Sequence, residues 1–181
     1  MTKKFKYCPN CKNKLKIIGK KLLDCPFCGF HFYLNPVPTV ALILENENGE
    51  ILFGKRKLLP KKGFFDLPGG FIEFNEKAEE AVIREVKEEL GIKIKKSKFF
   101  GTYIGFYSYK GINYQPLCVV FFGKIKNEEI KKIKPADDIA SICFFEKEKI
   151  PWQKLAFPDI KSALKEYLEL KNNQHSKKAS Q

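Results

Sequence analysis

With 181 residues, 44% of them hydrophobic and 14% aromatic, the chain carries enough apolar side chain for one proper core and a small appended module, which excludes two full-sized domains. No apolar run approaches the roughly 20 residues of a membrane-spanning helix, and Met1-Thr2-Lys3-Lys4-Phe5-Lys6 leads into cysteines without an apolar signal core, so the chain reads as soluble, cytoplasmic and without a membrane partner. The formal charge of +13 favours polyanionic partners such as nucleotides or RNA, but arginine occurs only at Arg56 and Arg84 and the lysines run from end to end, which suits a solvated surface better than a dedicated RNA-binding stripe.

The first feature in chain order is a pair of thiolate knuckles, Cys8-Pro9-Asn10-Cys11 and Cys25-Pro26-Phe27-Cys28-Gly29, separated by thirteen residues. In a reducing compartment this spacing suits one tetrahedral Zn²⁺ held by Cys8, Cys11, Cys25 and Cys28 better than disulfides. Four thiolates leave no open coordination position, so the zinc is structural, and it supplies most of the folding free energy of a module too short to bury a core. His31 is a surplus ligand and reads as an ordinary half-buried side chain. Cys118 and Cys143 lie in apolar runs and read as core thiols.

Asn35-Pro36-Val37-Pro38 interrupts regular structure, which places a ribbon at residues 1–35 and the main domain at 36–171. Val40–Leu44 and Ile51–Phe53, joined by Glu47-Asn48-Gly49-Glu50, read as a β-hairpin, since Asn-Gly accepts the positive φ of a tight turn. From Glu76 to Leu90 the pattern is helical, with Asn75 as cap, Gly91 as stop, and Ala78, Val82, Val86 and Leu90 at four-residue spacing. Strands follow at Lys98–Ser108, Tyr114–Lys124 and Ser141–Glu146. A last helix begins near Asp159, with Ile160, Ala163, Leu164, Tyr167 and Leu168 on one face, and a polar tail, 172–181, is expected to be disordered.

At about 100° per residue, Glu85, Glu88 and Glu89 project within one third of the helix circumference, beside the apolar stripe. A solvated acidic face is the ordinary reading of such a helix. Crowded carboxylates near a core also call for a positive partner, and hard divalent cations such as Mg²⁺ prefer oxygen clusters of this kind. Leu67-Pro68-Gly69-Gly70, just upstream, lets backbone pass close to the helix start and leaves room for a ligand.

These residues together resemble the Nudix hydrolase family. Its signature runs Gly, five residues, Glu, seven residues, Arg-Glu, an aliphatic residue, any residue, Glu-Glu, any residue, Gly and an aliphatic residue. Gly70, Glu76, Arg84, Glu85, Val86, Glu88, Glu89, Gly91 and Ile92 fill every specified position, and Phe65-Asp66-Leu67-Pro68 resembles the family's lead-in, with Phe65 where tryptophan is common. The resemblance covers roughly Val37 to Leu170. It implies an α+β fold, a mixed β-sheet sandwiched between helices and here preceded by the Cys₄ ribbon. It also implies Mg²⁺ or Mn²⁺ held by Glu85, Glu88 and Glu89 near the Gly70 backbone, with Arg84 orienting the carboxylates and Glu76 pairing with it. The general base is Glu88, Glu89 or Glu73. Relatives often carry a further glutamate downstream, and here Ser141 in Asp137-Asp138-Ile139-Ala140-Ser141 stands at that place.

The implied reaction is hydrolysis of the pyrophosphate bond of a nucleoside diphosphate-linked substrate of the NADH, FAD or ADP-ribose type, releasing AMP or another nucleoside monophosphate. A ribbon ahead of such a domain resembles the NADH pyrophosphatase branch and its relatives. That branch has a longer signature, Ser-Gln-Pro-Trp-Pro-Phe-Pro-x-Ser, of which Trp152-Gln153-Lys154-Leu155-Ala156-Phe157-Pro158-Asp159 is a partial echo, so NADH is not assigned specifically. Tyr103, Phe106, Tyr107 and Phe157 are candidates to stack on a base, although aromatics are more often core. Two other readings stand beside this one: an RNA-binding or nucleotide-sensing protein without hydrolysis, against which the intact carboxylate set argues, and an RNA-cap hydrolase. Homodimerisation is a further expectation from the family.

Overall fold

The computed structural model describes residues 5–94 and 96–178; the N-terminal lysines at 3 and 4 and the last three residues of the polar tail lie outside them. The first module is a three-stranded antiparallel sheet, β1 (Lys16–Ile18), β2 (Leu22–Asp24) and β3 (His31–Tyr33), which pairs only within itself among the described residues. Leu23 is fully buried in it, while Ile17 and Phe32, its partners in register on either side, are exposed. One buried leucine is far too little apolar area to fold thirty residues, which is why the thiolates matter.

The main domain is built on β4 (Val37–Glu45), β5 (Ile51–Arg56), β6 (Phe65–Asp66), α1 (Ala78–Leu90), β7 (Lys98–Ile104), β8 (Tyr107–Tyr109), β9 (Ile112–Tyr114), β10 (Pro116–Lys124), a single turn α2 (Asn127–Ile130), β11 (Ile139–Phe145) and α3 (Pro158–Lys178). The main sheet has the order β11-β5-β4-β10-β7, with β6 on β5. Only β4 and β10 are parallel, in register from Val37↔Pro116 to Glu45↔Lys124. The sheet is therefore mixed, as the family resemblance implies, and the apolar run Leu117–Phe122 lies on β10, an interior strand between β4 and β7.

Alternation along β4 divides the core in two. Val40, Leu42 and Leu44 face one way and pack with Ala81, Val82, Val86 and Leu90 of α1. Ala41 and Ile43 face the other way and pack with Ile160, Ala163, Leu164 and Tyr167 of α3. The two helices thus cover opposite faces of one sheet.

Several local expectations are corrected. The β4–β5 hairpin is not among them: the strands pair antiparallel at Glu45↔Ile51, Gly49 takes the positive φ, +81°, and Asn46 Oδ1 accepts from the N–H groups of Asn48 and Glu50 at 3.0 and 2.9 Å. Helix α1 starts at Ala78, two residues late; Asn75 takes a left-handed φ of +63° instead of capping, and the Lys77 N–H is met by the Glu80 carboxylate at 3.0 Å. Gly91 does end the helix, at φ +69°. The strand expected over Lys98–Ser108 breaks at Gly105-Phe106, and β8 and β9 form a small hairpin of their own. Helix α3 continues to Lys178, into the stretch expected to be a disordered tail, because extending a helix already nucleated by packed residues costs far less than starting one.

Candidate active site

Strands β4 and β5 are paired only at Glu45↔Ile51 and then splay apart. The Pro68–Ile72 segment fills the freed edge of β4. Leu42 N–H donates to the Pro68 carbonyl and Val40 N–H to the Gly70 carbonyl, both at 2.8 Å, and Thr39 bridges Phe71. The loop of the signature is therefore held like a strand, and glycine is required there for two separate reasons. Gly69 has φ +148°, and a Cβ on it would run into the Val40 carbonyl. A Cβ on Gly70 would lie 2.5 Å from Glu85 Oε1.

This arrangement brings α1 against the loop. The Gly69 N–H donates to Glu89 Oε2 at 3.0 Å. Arg84 binds both oxygens of Glu76, at 2.8 and 2.9 Å, donates to the Phe71 carbonyl at 2.9 Å, and through one nitrogen reaches Glu85 Oε1 and Glu88 Oε2, each at 2.9 Å. It fastens the loop to the helix and holds two of the three carboxylates in place. Glu85 and Glu89 are buried, whereas Glu88 is about half exposed and Glu73 is exposed at the rim. All of them line one cavity of about 550 Å³.

A further carboxylate joins them from the far end of the chain. Ala136 N–H donates to the Glu89 carbonyl and Lys134 N–H to that of Leu90, both at 2.9 Å, so the segment before β11 clamps onto the last turn of α1. This places Asp138 beside Glu89 and in the cavity wall; Ser141, the position at which a glutamate was sought, does not line it. Asp138 escaped the sequence reading because its place depends on a register irregularity between Ile139 and Ser141 in β11, and no periodicity shows such a bulge. Asp137, which also lines the cavity, takes a left-handed φ of +51° in the same turn.

Burial, reinforced by the neighbouring Asp138 charge, pushes Glu89 up to about 10, and burial likewise raises Glu85 despite Arg84. Carboxylates this crowded in a partly dry wall repel one another when ionised, and one hard cation with oxygen ligands would relieve them. The carboxylate oxygens are donors of the chemistry that a divalent ion takes, and the missing side chain at Gly70 makes room for the Glu85 carboxylate.

The same cavity extends to the other face of the sheet, where Phe106, Tyr107, Phe157 and Asp159 line it. Three of the four aromatic candidates therefore reach the site. Tyr103 does not: its ring stacks near Phe100 and its hydroxyl donates to Glu166 at 2.9 Å. Phe65 serves as the expected core aromatic, packed edge-on to Phe145 at 5.1 Å. Cys118 is buried in the core and also touches the cavity, its thiol pushed by burial up to about 12; Cys143 is only half-buried on β11.

In the ribbon, the four Sγ atoms of Cys8, Cys11, Cys25 and Cys28 lie within 4.8 Å of one another, with Cys8–Cys28 at 3.7 Å and Cys11–Cys25 at 3.4 Å. A tetrahedron with Zn–S bonds of about 2.3 Å has S···S edges near 3.8 Å. The knuckles also match each other in backbone. The first cysteine of each accepts from the residue four on at 2.9 Å, Lys12 or Gly29, and both of those take positive φ. His31 stays outside the cluster, exposed and paired with Asp24 at 2.7 Å.

Comparison with known proteins agrees with the geometry. The model of the NUDIX domain matches residues 35–167. The chain is 38% identical over 157 residues to the ADP-ribose pyrophosphatase of Methanocaldococcus jannaschii, covering 87% of this chain and 85% of that one. It is 26% identical over 98 residues to the NAD-capped RNA hydrolase NudC of Pseudomonas aeruginosa, but spans only 34% of that protein's length. A crystal structure of a NUDIX hydrolase from Nitrosomonas europaea matches over 93% of both chains at 28% identity and a TM-score of 0.67. With its signature loop locked into the sheet, its carboxylates gathered on α1 and its whole main domain matched, the chain belongs to the Nudix hydrolase family.

Proposed function

We propose that the protein hydrolyses the pyrophosphate bond of a nucleoside diphosphate-linked small molecule of the ADP-ribose type, releasing a nucleoside monophosphate and a second phosphorylated product. The observation that carries this reading is the single cavity crossing the sheet edge, with carboxylates of α1 at one end and an aromatic-lined wall at the start of α3 at the other. One end suits a metal-bound diphosphate and the other a flat base. The relative named for ADP-ribose matches almost the full length of this chain, whereas the NudC match is confined to about a third of that protein.

Glu85, Glu89, Glu88 and Asp138 are the residues that would hold Mg²⁺ or Mn²⁺, with the Gly70 backbone beside them. When bound, such an ion neutralises the diphosphate and lowers the pKa of an attacking water. The chain's own residues orient and exclude. Arg84 holds Glu85 and Glu88 at fixed positions, and the Gly69 N–H fixes Glu89. Glu88, half exposed, is the best placed to accept the water's proton and pass it to solvent, with Glu73 at the rim as the second choice; Glu89 is committed to Gly69 and Asp138. The thiolate cluster binds one structural Zn²⁺, since its closed S₄ geometry leaves no site for substrate.

The test is product analysis with ADP-ribose, FAD, NADH and nucleoside triphosphates, with Mg²⁺ or Mn²⁺ and then with EDTA. Metal-dependent release of AMP from ADP-ribose is expected; retained nucleotide binding without cleavage of any substrate would favour a sensor.

A further inference from the structure

The lysines of this chain run from end to end, but its acids do not. Residues 1–35 hold eight of the 34 basic residues and one of the 21 acidic ones, which places +7 of the formal +13 on the ribbon. A Zn²⁺ held by four thiolates takes two from that and leaves the module strongly cationic. Its one carboxylate, Asp24, is engaged by His31 at 2.7 Å. None of the ion pairs among the described residues uses Lys16, Lys20 or Lys21, all of them exposed.

The register of the ribbon sheet sorts its side chains into two faces, because cross-strand partners point to the same side. On one face Leu23 lies between Ile17 and Phe32, with the Phe5 ring 6.0 Å from that of Phe32, and this side holds the module together. The other face carries two rows across the three strands, Lys16-Asp24-His31 and Ile18-Leu22-Tyr33. Ile18 and Tyr33 are each 52% exposed, so no described residue of the main domain covers this row. The turn Gly19-Lys20-Lys21 closes one end of it, where the Leu34 N–H donates to the Lys21 carbonyl at 2.7 Å. An open aromatic ring and an open isoleucine thus lie in a flat row with lysines on either side.

Apolar side chains left open on a module this poor in core call for a partner, and the charge says of what chemistry. It is anionic, and it offers flat groups to Tyr33 between its charges. A single-stranded nucleic acid does both, through its phosphates and the faces of its unpaired bases. An acidic peptide supplies the charge without the flat groups.

We propose that the outer face of the ribbon sheet binds single-stranded nucleic acid, with a base stacked on Tyr33 beside Ile18 and the flanking phosphates paired with Lys16, Lys20 and Lys21. None of these residues lines the cavity, so the proposal is independent of the hydrolase reading.

The experiment is fluorescence anisotropy of the zinc-loaded full chain with a labelled single-stranded DNA of about twelve nucleotides and with an abasic strand of the same length, over a series of salt concentrations. The intact strand is expected to bind with log K falling at a slope of about −2 against log salt, the value for three phosphate contacts on a single strand. It should bind about tenfold more tightly than the abasic strand, the scale of one stacked base. Tyr33→Ala should lose that factor with the slope unchanged, and Tyr33→Phe should bind as the wild type does. Lys20→Gln combined with Lys21→Gln should bring the slope to about −0.7. Equal wild-type binding of the intact and abasic strands overturns the proposal whether or not a variant folds, since only charge is then being read. Displacement of the strand by excess ADP-ribose overturns it by placing the strand in the cavity. Binding to vesicles of anionic lipid with none to the strand, or no binding to the strand at low salt, overturns it as well.

Discussion

Glu89 is 3% exposed and anchored by a backbone N–H, and as a proposed ligand it would give up its proton when the ion binds, which a glutamine could not do. Glu89→Gln keeps the shape and still accepts from Gly69, and it should fold normally while turnover falls by orders of magnitude; near-normal turnover in the folded variant would contradict the assignment. Gly70→Ala tests the same wall by crowding, because its methyl would displace the Glu85 carboxylate. It should cost at least about 100-fold in kcat/KM, the scale of a misplacement of about an ångström, with little change in melting temperature. A third residue-scale prediction concerns Glu45, which takes no part in the site. Desolvation alone would raise it, but the Tyr167 hydroxyl at 2.7 Å and Lys171 outweigh burial and hold its carboxyl below the ordinary range. A depressed folded-state value means that this contribution is present above the unfolded pKa of about 4.3 and is lost as pH falls through the folded one. Tyr167→Phe should therefore lower stability at pH 7 by about 1–2 kcal/mol and move acid unfolding to higher pH. Superimposable acid-unfolding curves would refute the pairing.

At the scale of elements, the ribbon is a module whose sheet, among the described residues, pairs only within itself and whose one buried leucine cannot fold it. Metal analysis should find about one zinc per chain. Removal by a strong chelator, or Cys11→Ser, should unfold residues 8–33 and leave the main transition of the catalytic domain in place; a single transition shifted as a whole would show that the two are energetically one. The same scale shows what a sequence can and cannot disclose. Helix α1, the apolar centre of β10 and both cysteine knuckles were readable because each is local: a period, a run or a spacing. The facing of α1 and α3 across β4 also follows from alternation, once the strand is recognised. Asp138 and Asp159 were not readable as site residues. Asp138 reaches Glu89 through a bulge and a left-handed turn, and Asp159 reaches the cavity only because α3 begins at the sheet edge where Gly105 makes room. Contacts of this kind join residues dozens of positions apart and leave no local pattern. The start of α1 was misplaced for a smaller reason: an asparagine that could cap instead took a left-handed turn, and Glu80 did the capping.

At the scale of the whole molecule, no helix among the described residues is long and apolar enough to cross a membrane, and the cavity is the feature that ties the parts together. It joins the two faces of the sheet at the point where β4 and β5 part, so one substrate can touch a metal-ready carboxylate wall and an aromatic slot at once. The most direct test of that account is to incubate the purified protein with ADP-ribose and Mg²⁺ in ¹⁸O-labelled water and identify the products by mass. The account predicts AMP and ribose 5-phosphate in equal amounts, with one ¹⁸O in one of them and no reaction once EDTA is added. Intact ADP-ribose in the presence of metal, with every carboxylate of α1 in place, would contradict it.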